Sequence, residues 1–172
     1  MIKKYIILTF ITLLFYTPVF SAGTNSSDKD GAWKTGDDDK LYMKGKNSNL
    51  KKATDAIKQA KKYAKKEKFN KAKKRFNDAI KFLILANKEN PNEPDILNYL
   101  GYSYKKVDDL LMAEIYYEQG LAIDPQHIGI NEYLGKLYVE TNRIDKAKER
   151  LKVLENCKCE EFKELQNLIS KY

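Results

Sequence analysis

Leu100-Gly101-Tyr102-Ser103-Tyr104 and Leu134-Gly135-Lys136-Leu137-Tyr138 repeat one pattern, with their glycines 34 residues apart. The same interval of 34 links Tyr104 to Tyr138, Ala113 to Ala147 and Tyr117 to Leu151. Self-similarity at this period marks stacked supersecondary units, none of which buries its apolar face alone. A small residue at Gly101 or Gly135 lets two helices approach closely, and Ala113 or Ala147 does the same from the second helix. Tyr104, Tyr117, Tyr138 and Leu151 are then the large residues that fill the space between stacked hairpins. Apolar residues keep a helical period throughout the chain after Asn47, and Pro91, Pro94 and Pro125 interrupt it where helices must end or begin. That stretch has no alternating strand pattern and no Asn-Gly or Asp-Gly hairpin signal. The fold class is all-α.

These positions resemble the tetratricopeptide repeat family, whose motif runs Leu-Gly-x-x-Tyr, then Ala, then an aromatic, then Pro. Residues 94–127 match through Leu97, Leu100, Gly101, Tyr104, Ala113, Tyr117 and Pro125, with Gly120 where the family has a small residue such as alanine. Residues 128–161 match through Leu134, Gly135, Tyr138, Ala147 and Leu151, with Cys159 in place of the closing proline. A degenerate first unit, about residues 53–93, keeps the internal spacings at Tyr63, Ala72, Phe76 and Ala79. Ala60 takes its glycine slot and Ala56 the large position before it.

Ala72 and Ala113 are 41 residues apart, seven more than the period. Seven residues are about two helical turns, so the second helix of this unit is expected to run on through Phe82-Leu83-Ile84-Leu85-Ala86 and stop near Asn90-Pro91. Phe162, Leu165, Leu168 and Ile169 give residues 160–172 the apolar stripe of a helix that covers the last hairpin. The resemblance therefore implies a right-handed superhelix of about three tetratricopeptide hairpins plus a C-terminal capping helix over residues 48–172.

Upstream, Lys3 and Lys4, the apolar run from Tyr5 to Phe15, and Ser21-Ala22-Gly23 have the three-part layout of a secretory signal peptide over residues 1–22. The alternative is an uncleaved anchor, for which the run is short. No cysteine lies near the processing site, which excludes a lipoprotein-type anchor. Residues 23–47 are polar and aperiodic and are expected to form a flexible linker. Trp33 and Leu41-Tyr42-Met43 are isolated apolar residues within it, and Asp37-Asp38-Asp39 is at most a weak cation site. The expectation is an exported bacterial protein, soluble in the periplasm or secreted.

Export frames Cys157 and Cys159 as either a local disulfide or two free thiols. Their spacing is too compact for a zinc pair, and His127, the sole histidine, is expected to be solvated in the turn after Asp124-Pro125. Glu160 and Glu161 suit a helix start, where negative charge meets the helix dipole.

The net charge of +8 is unevenly spread. Lys44 to Lys81 holds fifteen basic and three acidic residues, whereas Phe82 to Tyr172 holds twelve and sixteen. A basic first hairpin suits an acidic partner or an anionic lipid surface, or is simply a solvated face. There is no phosphate loop, dinucleotide glycine pattern or H-E-x-x-H, so no enzyme, metal or cofactor is expected, and export disfavours nucleic acid.

The family resemblance places the first helix of each hairpin on a concave face. Lys61 and Lys65 would line it in the first unit, Asp95, Asn98, Tyr99, Tyr102 and Lys106 in the second, and Glu132, Tyr133, Lys136 and Glu140 in the third. The family's clamp for a C-terminal carboxylate falls on Ile57, Lys61, Tyr99, Gly129 and Tyr133, of which only Lys61 fits. The resemblance implies a non-catalytic scaffold or adaptor that binds a peptide or protein in the cell envelope. The alternative is an envelope-surface protein whose basic first hairpin contacts anionic lipid or polyanion.

Overall fold

A computed structural model describes residues 48–172. The leader expected at 1–22 and the linker expected at 23–47, with Trp33, the cluster at 41–43 and the aspartates at 37–39, lie outside the described residues.

Among the described residues seven helices follow one another: α1 (Ser48–Ala64), α2 (Phe69–Glu89), α3 (Pro94–Lys106), α4 (Leu110–Ile123), α5 (Ile128–Glu140), α6 (Ile144–Leu154) and α7 (Glu160–Ile169). Among the described residues there is no strand. α1 pairs with α2, α3 with α4 and α5 with α6; α2–α3 and α4–α5 contacts stack these hairpins in order, and α7 lies on α5 and α6. α3 and α5 begin 34 residues apart, as do α4 and α6. α2 has 21 residues against 14 in α4, so the first unit carries the seven-residue extension inside its second helix. α1 matches it by starting at Ser48, five residues before the expected unit boundary, and Asn49 Nδ2 donates to Glu89 Oε1 at 2.6 Å.

One turn closes all three hairpins. Glu67, Asp108 and Asn142 occupy the left-handed region at φ 56°, 71° and 57°. In each case the next residue's amide donates back across the turn to the carbonyl of a motif tyrosine: Lys68 to Tyr63 and Asp109 to Tyr104 at 3.0 Å, and Arg143 to Tyr138 at 2.7 Å. This is the Schellman geometry that satisfies orphan carbonyls at a helix end. Glycine usually sits at the left-handed position. Here it is Glu, Asp or Asn, which hides the turn from a scan for breakers.

The core is continuous along the stack. Ala53, Ala60, Ala79 and Ala86 are completely buried, which brings the backbones of α1 and α2 together. Tyr104 packs against both the α1–α3 cluster and the α4–α6 cluster, so it joins them. The Tyr117 ring, fully buried, lies over Gly101. The third unit has the smaller Leu151 at that register, and the space over Gly135 is filled by Leu165 from α7. The capping helix thus completes the last hairpin's interior as well as covering its face.

His127 is not solvated, contrary to expectation. It is 8% exposed and caps α5: its Nδ1 accepts from the Ile130 amide at 3.1 Å. With Nδ1 accepting, the ring proton sits on Nε2, which donates to Asp95 Oδ1 at 2.9 Å and so ties the start of α5 to α3. Replacing His127 by alanine removes a cap and that tie. A loss of about 2 kcal/mol is expected, read from denaturant melts, with His127→Asn recovering part of it by capping alone.

Candidate peptide-binding groove

α3 touches α5 directly, so the first helices of the second and third hairpins approach each other on one side of the stack. The residues that meet there come from α1, α3, α5 and α7. At the centre is Tyr102, half-buried. Its ring lies 5.4 Å from that of Tyr133 and 5.9 Å, edge-on, from Phe76. Lys61 Nζ of α1 and Lys106 Nζ of α3 sit 5.3 and 5.4 Å from the same ring's centre. Tyr133 continues the row, 6.4 Å from Tyr117 and with Lys136 Nζ 5.9 Å from its own centre. Cation–ring contacts of this kind hold a long side chain against an aromatic floor while its charge still faces water.

Charge divides the groove. Lys105 pairs with Glu140 at 2.6 Å, whereas Lys106 turns onto Tyr102. Partial removal from water, then the neighbouring Lys105, Lys61 and Lys136, pull the Lys106 ammonium below its ordinary pKa against the opposing pull of Glu140. Lysines gather at this end, with Glu140 among them. At the α5–α7 end Lys136 Nζ instead bridges Glu132 Oε1 and Glu164 Oε2, each at 2.5 Å. Burial drives the Glu132 carboxyl up to about 7 despite that lysine, while the bond from Lys136 holds Glu164 below the ordinary carboxylate range. Burial also pushes the Tyr102 hydroxyl up to about 12, so it stays protonated and able to donate.

The structure brings together five of the nine groove residues expected from the sequence, Lys61, Tyr102, Lys106, Tyr133 and Lys136. Lys61, Lys65 and Lys106 are exposed, and Tyr102, Tyr133 and Lys136 are half-buried. Three are corrections: Asn98, Tyr99 and Glu132 are only 4%, 5% and 1% exposed and do not line a surface. Asn98 is buried against Gly129 of α5, Tyr99 in the core cluster of α1 to α3, and Glu132 beneath Lys136, which also reaches Glu164 of α7. Asp95 and Glu140 are engaged by His127 and Lys105. Glu164 belongs to the site and was not anticipated, since the periodicity of α7 signals only its apolar stripe. Glu160 and Glu161 stand in the first turn of α7, as expected, and Glu161 is in addition packed, at 1% exposure.

Cys157 and Cys159 are joined by a disulfide with their Cα atoms 5.1 Å apart, in the turn between α6 and α7. Among the described residues no three His, Cys, Asp or Glu side chains converge as a metal-ligand set, and no helix is long and apolar enough to cross a membrane.

Neither a protein-family model nor a curated protein sequence matches the chain. Solved structures similar to it include the first TPR of Spaghetti (RPAP3) bound to the HSP90 peptide SRMEEVD, at 18% identity over 74% of this chain and 97% of that one, with a TM-score of 0.48. The TPR2B domain of yeast Sti1 in complex with pHsp70 is 17% identical over 70% of this chain and 95% of that one, with a TM-score of 0.49. The Sgt2 TPR domain from Aspergillus fumigatus is 15% identical over 74% and 83%, also with a TM-score of 0.49. At these identities the likeness is one of helical arrangement.

Proposed function

We propose that this chain is a non-catalytic interaction scaffold whose concave face binds an acidic peptide or protein segment in the bacterial cell envelope. The observation that carries the proposal is the Tyr102 ring, flanked by Lys61 and Lys106 and continued by Tyr133. The tyrosines offer apolar area with a hydroxyl donor, and the lysines offer charge to a carboxylate. Residues 48–89, with fourteen basic and four acidic side chains, extend that positive field beyond the groove. The signal-peptide pattern at residues 1–22 supports the envelope as the place of action.

The second reading, contact of the basic first hairpin with an anionic lipid surface, is favoured by the exposure of most of the lysines on α1 and α2. A fluorescein-labelled peptide of alternating glutamate and leucine, and phosphatidylglycerol vesicles, separate the two. Peptide affinity is expected to fall about tenfold or more in both Tyr102→Ala and Lys106→Glu. Vesicle binding that survives Tyr102→Ala and vanishes in high salt, with no peptide affinity in the parent protein, would favour the lipid reading.

A further inference from the structure

Cys157, Lys158 and Cys159 form a closed ring at the hinge of the capping helix, and both cysteines are partly exposed. We infer that this disulfide is a thiol-exchange site for a dithiol reductant, and that its reduction releases α7 from the end of the stack. The inference goes beyond peptide binding and does not depend on it.

The ring acts on the entry of α7 together with the buried Glu161 in the helix's first turn. Between the last residue of α6 and the first of α7, two backbone bonds, Glu155 N–H to the Lys152 carbonyl at 3.3 Å and Cys157 N–H to the Leu154 carbonyl at 3.0 Å, hold the chain, and Cys159 takes the N-cap position without a side-chain cap bond. Lys158 sits at φ 51°, a left-handed conformation that a lysine leaves unless its surroundings impose it. The disulfide closes the ring across it. α7 itself has ten residues, too few to persist as a helix without packing. That packing consists of Leu165 over Gly135, Leu168 and Ile169 against the last core cluster, and Glu164 on Lys136. Opening the ring frees Lys158 to leave the left-handed region, and the direction in which α7 enters its seat is then no longer set.

In the exchange, a thiolate of the dithiol attacks Cys157 Sγ, forming a mixed disulfide as the Sγ–Sγ bond breaks. The electron pair leaves on Cys159 Sγ, and this sulfur then takes a proton. The second thiol of the reductant closes on the first, and Cys157 is released as a thiol. Two electrons and two protons have passed to the protein, and the reductant leaves as its own disulfide. Because Lys136 stands between Glu164 and Tyr133, release of α7 also removes a carboxylate that anchors the groove's acidic end.

The test uses the full chain, oxidised or treated with dithiothreitol and then iodoacetamide, with intact mass reporting the two alkylated thiols. Amide hydrogen exchange over residues 160–169 is expected to quicken about tenfold or more on reduction, with residues 48–123 unchanged within about twofold. The double variant Cys157→Ser/Cys159→Ser should exchange like the reduced protein with no reductant present. A disulfide that resists millimolar dithiothreitol in the folded protein overturns the inference. Unchanged protection of 160–169 in both the reduced protein and the serine variant overturns it too, as does loss of protection across the whole array.

Discussion

Gly101→Val is expected to destabilise the array by about 3–5 kcal/mol, at the upper end for overpacking, and to lower the melting temperature by roughly 10 °C or more. A Cβ at position 101 would stand 2.5 Å from Cδ1 and Cε1 of Tyr117 and 2.8 Å from its Cζ. That ring is rigid and fully buried, and it stacks on Tyr133 at 6.4 Å, so it has nowhere to turn without disturbing the aromatic row that reaches the groove. Gly135→Ala is the control. A Cβ at 135 would also meet a neighbour at 2.5 Å, but that neighbour is Cδ2 of Leu165, the far end of a side chain on the terminal helix, with Arg150 Cβ next at 3.3 Å. It yields, at a cost of about 1 kcal/mol. Thermal melts showing Gly101→Val as stable as its parent would refute the packing of Tyr117 over Gly101.

The second large effect is a pH dependence carried by Glu132. Its carboxyl is raised from the ordinary 4.5 to about 7, chiefly by burial and against the pull of Lys136. Between those values the folded protein holds a proton that the unfolded chain has lost, so stability falls as pH rises from 4.5 towards 7. The full difference approaches about 3 kcal/mol above about pH 7. Glu93 is raised as well and adds to the slope in the same window, while Glu114 and Glu164 are lowered and act only at more acid pH. Comparing the parent with Glu132→Gln therefore isolates the effect. The variant should show a flatter profile from about pH 5 to about pH 8 and gain relative stability at the alkaline end, measured by urea unfolding at fixed salt. Parallel profiles would assign the burial of Glu132 no energetic role.

Much of the architecture is legible without coordinates because it depends on intervals. The 34-residue spacing at Gly101 and Gly135, and the seven extra residues between Ala72 and Ala113, are enough to place six helices and the long α2. Residues whose role depends on a distant partner were less legible. His127 reads as a turn histidine until Asp95, 32 residues upstream, comes into reach. Asn98, Tyr99 and Glu132 are polar or amphipathic residues on first helices, and only their neighbours, Gly129 of α5, the α1–α3 core and Lys136, show that they are buried. The row of Tyr102 and Tyr133 with Lys61, Lys106 and Lys136 was visible because it needed only the right face of each first helix. Its acidic end was not, since Glu164 arrives from a segment whose pattern announces nothing beyond an apolar stripe.

The length of α2 has a consequence for how such arrays vary. A helix advances about 100° per residue, so seven residues return the chain to within about 20° of its former bearing. Removing a block of seven from the middle of α2 would shorten the first hairpin by about 10 Å, yet leave Pro94 and everything after it aimed almost as before. Removing five would swing the two hairpins beyond it by about 140° and break the row that joins Lys61 to Tyr102. Length at this point is therefore quantised. Viable relatives or designed variants should differ here by steps of about seven or eleven residues, and those between should fail to assemble a continuous groove.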